Sequence, residues 1–265
     1  MIYTCYEMIQ DCRAGKPAGW RYFVTEYVPV MRRLLEHYFP ERASDRDLLE
    51  RVLAALYRPE SSLFASLEPA PERAFVAELR QHLLAAVEAD RASAAPEIEL
   101  DLETLASALE PLTLVEKQAV WTETMRYGAP DAARILHIDA RTVEKNRGRA
   151  AELVRGKLDT WRQSLLADNG AALGRAAAAS RTAACCPAKT FFNAMDGRLT
   201  WRDRENMEAH AAACPHCVDH YCRLLEVADL LRTAQPLSPE AAQPYWRRLG
   251  LETPKVSVWK KMFAP

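Results

Sequence analysis

Asp131-Ala-Ala-Arg-Ile-Leu-His137-Ile138-Asp139-Ala-Arg-Thr-Val143 is the stretch whose reading decides the fold. Residues 131–137 have the pattern of a short helix, Ile138 is expected as the buried residue of a turn, and Asp139 can cap a longer helix that starts at Ala140. The small side chains of Ala132 and Ala133 let two helices cross closely. Just upstream, Thr113-Leu-Val-Glu116 has the spacing of a capping box and predicts a helix over Leu114–Met125, after which Gly128-Ala-Pro130 resets the chain. Three consecutive helices with short connections are therefore expected here.

Working outward, the same periodicity recurs almost everywhere. Only nine glycines occur in 265 residues, and apolar residues fall at three- and four-residue spacing with no convincing strand pattern. The expected class is all-α: two helical domains, the second a helix-turn-helix, plus a small helical metal-binding domain. Breaks at Phe39-Pro40, Tyr57-Arg-Pro and Glu68-Pro-Ala-Pro divide the first unit, 1–92, into a compact group of helices. A linker follows at 93–101, then the helix-turn-helix unit at 102–166, an alanine-rich connector at 167–184, a third unit at 185–233 and a proline-punctuated tail at 234–265. At this length each of two or three units could hold its own core.

Hydrophobic residues make up 49% and charged residues 27%, which excludes a wholly disordered chain. No apolar run approaches membrane-spanning length, and the first residues do not read as a secretory signal, so the expected compartment is the cytoplasm. Five of the seven cysteines fall between positions 185 and 222, which points to metal ligands or reduced thiols rather than a disulfide framework.

The net charge of -1 means that any basic surface must be local. Between Ala140 and Gln163 seven basic residues face three acidic ones, so the third helix of the middle unit is such a surface. In a helix-turn-helix the start of this helix enters the major groove. Arg141, Thr142, Lys145, Asn146 and Arg149 are placed to reach base edges or phosphates; the plainer alternative is a solvated charged face.

His210-Ala-Ala-Ala-Cys214-Pro-His-Cys217 carries the second chemistry. His210 and Cys214 stand one helical turn apart on one face, and Cys-x-x-Cys closes the site as the helix ends. A fourth ligand from Cys186, or alternatively Cys185, would complete a tetrahedral site for Zn2+ with no open position for water. Such a closed site argues against an enzyme. His216 and His220 are expected beside the site rather than in it, and Cys222 is expected in the core.

With these residues in view, Leu105-Ala-Ser-Ala-Leu-Glu-Pro-Leu-Thr, Ala132 through Val143 and Arg149-Ala resemble the promoter-reading C-terminal domain of extracytoplasmic-function sigma factors of the sigma-70 family. The runs Phe23 to Phe39 and Asp47 to Leu56 are similar to that family's first helix and its polymerase clamp-binding helix. The resemblance implies core RNA polymerase and promoter DNA as partners, with Asp47, Leu48, Glu50 and Val52 on or near the polymerase-facing surface. Three departures stand out: Glu144 and Arg51 reverse the usual charge, and Phe75–Arg91 lacks the tryptophan, asparagine and basic cluster of a promoter-melting helix. Single-strand capture ordinarily uses such aromatics and a positive groove.

Residues Cys186 to Thr200, Arg202 to His210 and Cys214-Pro-His-Cys217 resemble the zinc-binding anti-sigma domain. Together the resemblances imply a sigma-like regulator whose fused third unit restrains the first two, or a degenerate adaptor or anti-sigma protein that binds polymerase or a sigma factor without melting promoters. In the tail, Tyr245-Trp-Arg-Arg-Leu and Val258-Trp-Lys-Lys-Met-Phe combine aromatic and basic residues as membrane-surface segments do. Packing of the tail on the helical units is the alternative.

Overall fold

The computed structural model describes residues 3–42, 45–58, 61–65, 71–91, 106–107, 109–153 and 171–251. Among these residues there are helices and no strands. The first unit contains α1 (Cys5–Arg13), α2 (Pro17–Tyr38), a 3-10 turn at Pro40–Arg42, α3 (Arg46–Leu56), α4 (Ser62–Ala65) and α5 (Glu72–Arg91). The middle unit contains α6 (Leu114–Thr124), α7 (Ala129–Leu136) and α8 (Ala140–Leu153). Then come α9 (Ala171–Ala179), α10 (Ala188–Met195), α11 (Trp201–Ala213), α12 (Pro215–Thr233) and α13 (Pro239–Arg248).

The capping chemistry expected of the middle unit is present. Thr113 and Glu116 satisfy each other's exposed amides, so α6 begins where the spacing places it. His137 turns through the left-handed region at φ 56° and ends α7, and the Asp139 carboxylate accepts the Thr142 N–H at 2.9 Å to open α8. Ile138 is half-buried in the turn, while Ile135 is the fully covered isoleucine of α7. The part of the basic helix beyond Leu153, with Arg155, Lys157 and Arg162, lies outside the described residues.

Among the described residues two apolar cores form. Trp20, Phe23, Tyr27, Phe64 and Phe75 centre the first, edge against face, with α2 as its axis. The metal-binding unit has no core of its own. Phe191, Met207, Ala211, Cys217 and Cys222 join Val120, Trp121, Ile135 and Val143 of the middle unit in the second core. Helix α12 serves both, sending Leu224 into the second core and Val227 and Leu230 into the first. A helix that packs against α2, α5, α6, α7, α9, α10 and α11 has almost no free face, and its apolar residues accordingly run around its circumference.

The tail packs on the first unit as the alternative reading held. Ser238 caps α13, Pro239 occupies its first turn, and Ala242, Tyr245, Leu249 and Leu251 are buried in the first core. Pro29 helps to fix this docking. Lacking an N–H, it leaves the Thr25 carbonyl one turn earlier without its helical donor, and Leu237 N–H fills the gap at 2.9 Å. Tyr245 and Trp246 are thus committed to protein packing. The second aromatic-basic run, Val258 to Phe263, lies outside the described residues. No described helix is long and apolar enough to cross a membrane. The alanine-rich connector is likewise docked: Gly174 approaches Arg223 so closely that a Cβ there would lie 2.2 Å from the guanidinium, and the Ala177 carbonyl meets His216 Nδ1 at 3.2 Å.

Candidate metal centre

Helix α11 ends at Ala213, Cys214 is extended between helices, and Pro215 starts α12, so the chain reverses around the Cys-x-x-Cys knuckle. His210 sits in the last turn of α11 and Cys217 in the first turns of α12. Their ligand atoms and the Sγ atoms of Cys214 and Cys185 all lie within 4.8 Å of one another. Cys185 Sγ is 3.7 Å from Cys214 Sγ. Thiolates about 2.3 Å from a tetrahedral zinc stand about 3.8 Å apart, so the spacing suits that ion. His210 Nε2 is buried and has no hydrogen-bond partner, as expected of a nitrogen turned toward a cation.

The geometry draws the fourth ligand from Cys185, named above as the alternative, whereas Cys186 stays outside the four-atom group. The Thr182 N–H donates to Cys185 Sγ at 3.2 Å. Burial opposes ionisation of that thiol, but the Thr182 amide and hydroxyl outweigh it and hold its pKa below the usual value. Burial pushes the Cys186 thiol above its usual pKa. Burial pushes the Cys217 thiol well up, so a cation binding there must displace a proton. A Cys3His set of three soft sulfurs and one imidazole is chemistry suited to zinc.

Residues 194–217 match the family described as "Putative zinc-finger". The match takes in His210, Cys214 and Cys217, and the fourth candidate ligand lies before it. No curated protein and no solved structure matches the chain.

His216 and His220 stack on α12 away from the four ligand atoms. Burial, helped by His216, lowers the His220 pKa to about 4. Between about pH 6.5 and 4 the unfolded chain takes a proton that the folded chain refuses, so this residue costs folding stability as pH falls through that window. The loss is about 2 kcal/mol at pH 5 relative to pH 7. His220→Phe is expected to flatten that part of the stability–pH curve, as measured by denaturant melts at the two pH values. Cys222, fully covered, and Cys12 are buried thiols whose pKa burial raises; Cys5 is pushed up to about 11.

The residues expected to touch DNA divide. Arg141 and Lys145 are exposed on α8. The Thr142 hydroxyl is held by Asp139 at 2.5 Å, and Asn146 lies with Val143 and Ala150 on the inward stripe, 8% exposed. Arg149 bonds Glu116, the capping-box carboxylate of α6. Arg147, counted with the basic face, turns inward to the carbonyls of Ala119 and Tyr127 at 3.0 and 2.9 Å. Asn146 is thus buried, and Thr142 and Arg149 have protein partners.

On the expected polymerase face, Leu48 and Val52 are core residues of α3, because the apolar stripe 48, 49, 52, 53 and 56 turns inward. Asp47 is exposed. Glu50 is half-buried and faces Arg248 of α13 at 3.9 Å.

Sequence reasoning missed a buried polar junction where all three units meet. Glu226 on α12, fully covered, accepts from Tyr38 Oη at 2.6 Å, Tyr127 Oη at 2.6 Å and Arg80 Nε at 2.5 Å. Burial alone would raise its pKa; the Arg80 charge and the two phenols reverse this and keep it an anion. Around it, His37 stacks on Tyr127 at 3.8 Å and meets the Met125 carbonyl at 2.6 Å. Arg134 pairs with Asp229, Lys117 donates to the Ala212 carbonyl, and Arg73 grips Asp196 with bonds of 2.8 and 2.9 Å. The available signal was that the apolar residues of α12 run around its circumference while it carries Glu226 and Asp229: charges on a helix with little free face must be paired.

Proposed function

We propose that this chain is a transcription-initiation regulator of the sigma type, restrained by its own zinc-bearing unit. The observation that carries this reading is the position of α12, wedged between the first and middle units and bonded to both through Glu226. Two features support it. Helix α13 covers part of the α3 face proposed to meet polymerase. The exposed Arg141 and Lys145 at the start of α8 supply the charge a promoter contact needs, in a helix-turn-helix arrangement of α7 and α8. Four protein donors leave zinc no position for a reacting water, so the metal is read as a fold-holding rather than a catalytic ion.

A second reading is favoured by α5. Its one phenylalanine, tyrosine or tryptophan, Phe75, is fully buried, which leaves only the His82 ring on that helix for unstacked bases. On that reading the chain is an adaptor that binds polymerase or a sigma factor without opening DNA.

Capture of core RNA polymerase by the full chain, with zinc bound and after chelation, tests both. Under the first reading chelation raises capture at least fivefold, and the captured enzyme opens a promoter. Equal capture without opening supports the adaptor. No capture in either state sinks both.

A further inference from the structure

Resting on the reading of a self-restrained regulator, we infer that Glu226 is the release point of the closed arrangement: a polar latch that parts between two cores without unfolding either. Three observations lead to it. First, the donors come from different units: Arg80 and Tyr38 from α5 and α2, Tyr127 from the segment after α6, while the acceptor is on α12. The carboxylate finds its full set of partners only when both units close on the helix. Second, the apolar residues of the first and middle units form separate clusters, and of the buried residues of α12 only Val227 and Leu230 belong to the first, so a parting of the first unit from α12 leaves most of both cores whole. Third, polar contacts join the first unit to the rest: His37 to the Met125 carbonyl, Arg33 to Thr233 and Arg73 to Asp196.

Polar contacts and apolar contacts part differently. An apolar interface exposes hydrocarbon when it opens, whereas Glu226, Arg80, Tyr38 and Tyr127 regain water. A buried ion pair adds little net stability over apolar side chains of the same shape, but it tolerates no mispairing, because one lone member is left charged and dry. The junction therefore specifies one closed arrangement while keeping the cost of leaving it low. Wrong dockings of α12 are excluded, and a partner that parts the first unit from α12 exposes Val227 and Leu230 but leaves the second core whole.

The test compares two variants of the full, zinc-loaded chain by amide hydrogen exchange and small-angle scattering, without polymerase. Glu226→Gln keeps the shape and removes the charge. It should speed exchange at least tenfold in α12 and in the turns of α5 around Arg80, with a larger radius of gyration and undiminished protection in α1 and α6. The apolar double variant Arg80→Met with Glu226→Met should stay closed, with exchange at or below the parent's. If Glu226→Gln does not fold, Tyr127→Phe, which removes one of three donors, is read by the same two measurements. Unchanged exchange in the single variant overturns the inference. So does loss of protection throughout both cores, or an apolar variant that opens as far as the charge-deleted one. Because polymerase is absent, a latch that fails leaves the regulatory reading standing, and failure of polymerase capture leaves the latch standing.

Discussion

Cys217→Ser is expected to weaken zinc binding by about 100-fold or more, while Cys186→Ser leaves one zinc per chain at nearly the parent affinity. Structural zinc sites bind with apparent free energies of about 10–16 kcal/mol, so one of four donors accounts for about 3 kcal/mol, or about two orders of magnitude in affinity. Cys217 sits in a closed set with Cys185, His210 and Cys214, and a serine hydroxyl there is a harder, neutral and shorter-reaching donor than a thiolate. Its loss also leaves His210 Nε2 buried without a partner. Cys186 Sγ lies outside the four-atom group, so its loss removes no donor. Competition with a chromophoric chelator measures both affinities, and Cys185→Ser should behave like Cys217→Ser. Equal losses for the 185 and 186 variants would show that either thiol can serve.

Local signals carried far in this chain. The Thr113–Glu116 capping box, the Asp139 cap and the His210-x-x-x-Cys-x-x-Cys knuckle are all made of residues close in sequence, so spacing alone places them. The choice between Cys185 and Cys186 was not legible, because it depends on how residues 180–187 turn, and Thr182 selects Cys185 by donating to its sulfur. The surface assignments suffered from the same limit. Arg149 looked free until Glu116, 33 residues earlier, was seen to claim it, and Leu48 and Val52 turn inward with their neighbours. Glu226 joins residues separated by up to 188 positions. A charge committed to such distant partners carries no local pattern. What sequence does show is a helix whose apolar residues run round it, leaving Glu226 no solvated face.

Tyr245→Ala, in the segment first read as a tail, is expected to destabilise the first unit by about 3–5 kcal/mol, the usual loss for truncating a buried aromatic. The ring is 2% exposed in a core otherwise built from residues 8–87 and the end of α12, and Arg32 lies over it at 5.9 Å. Two backbone bonds fix its helix from either side: Leu237 N–H on the Thr25 carbonyl left open by Pro29, and the Leu251 carbonyl accepting from Arg21 Nε at 2.8 Å. Both anchors lie on α2, so a cavity at Tyr245 loosens the strap and the core beneath it together. Tyr245→Phe, which keeps the ring, should stay within about 1 kcal/mol of the parent. Chemical denaturation followed by tryptophan fluorescence reads the difference, since Trp20 lies within the first core. A Tyr245→Ala chain that melts with its parent would return residues 237–251 to the status of an appended tail. A large loss makes the last helix part of the first folded unit, so the metal-bearing segment between them is held at both ends, by zinc before α12 and by this core after it.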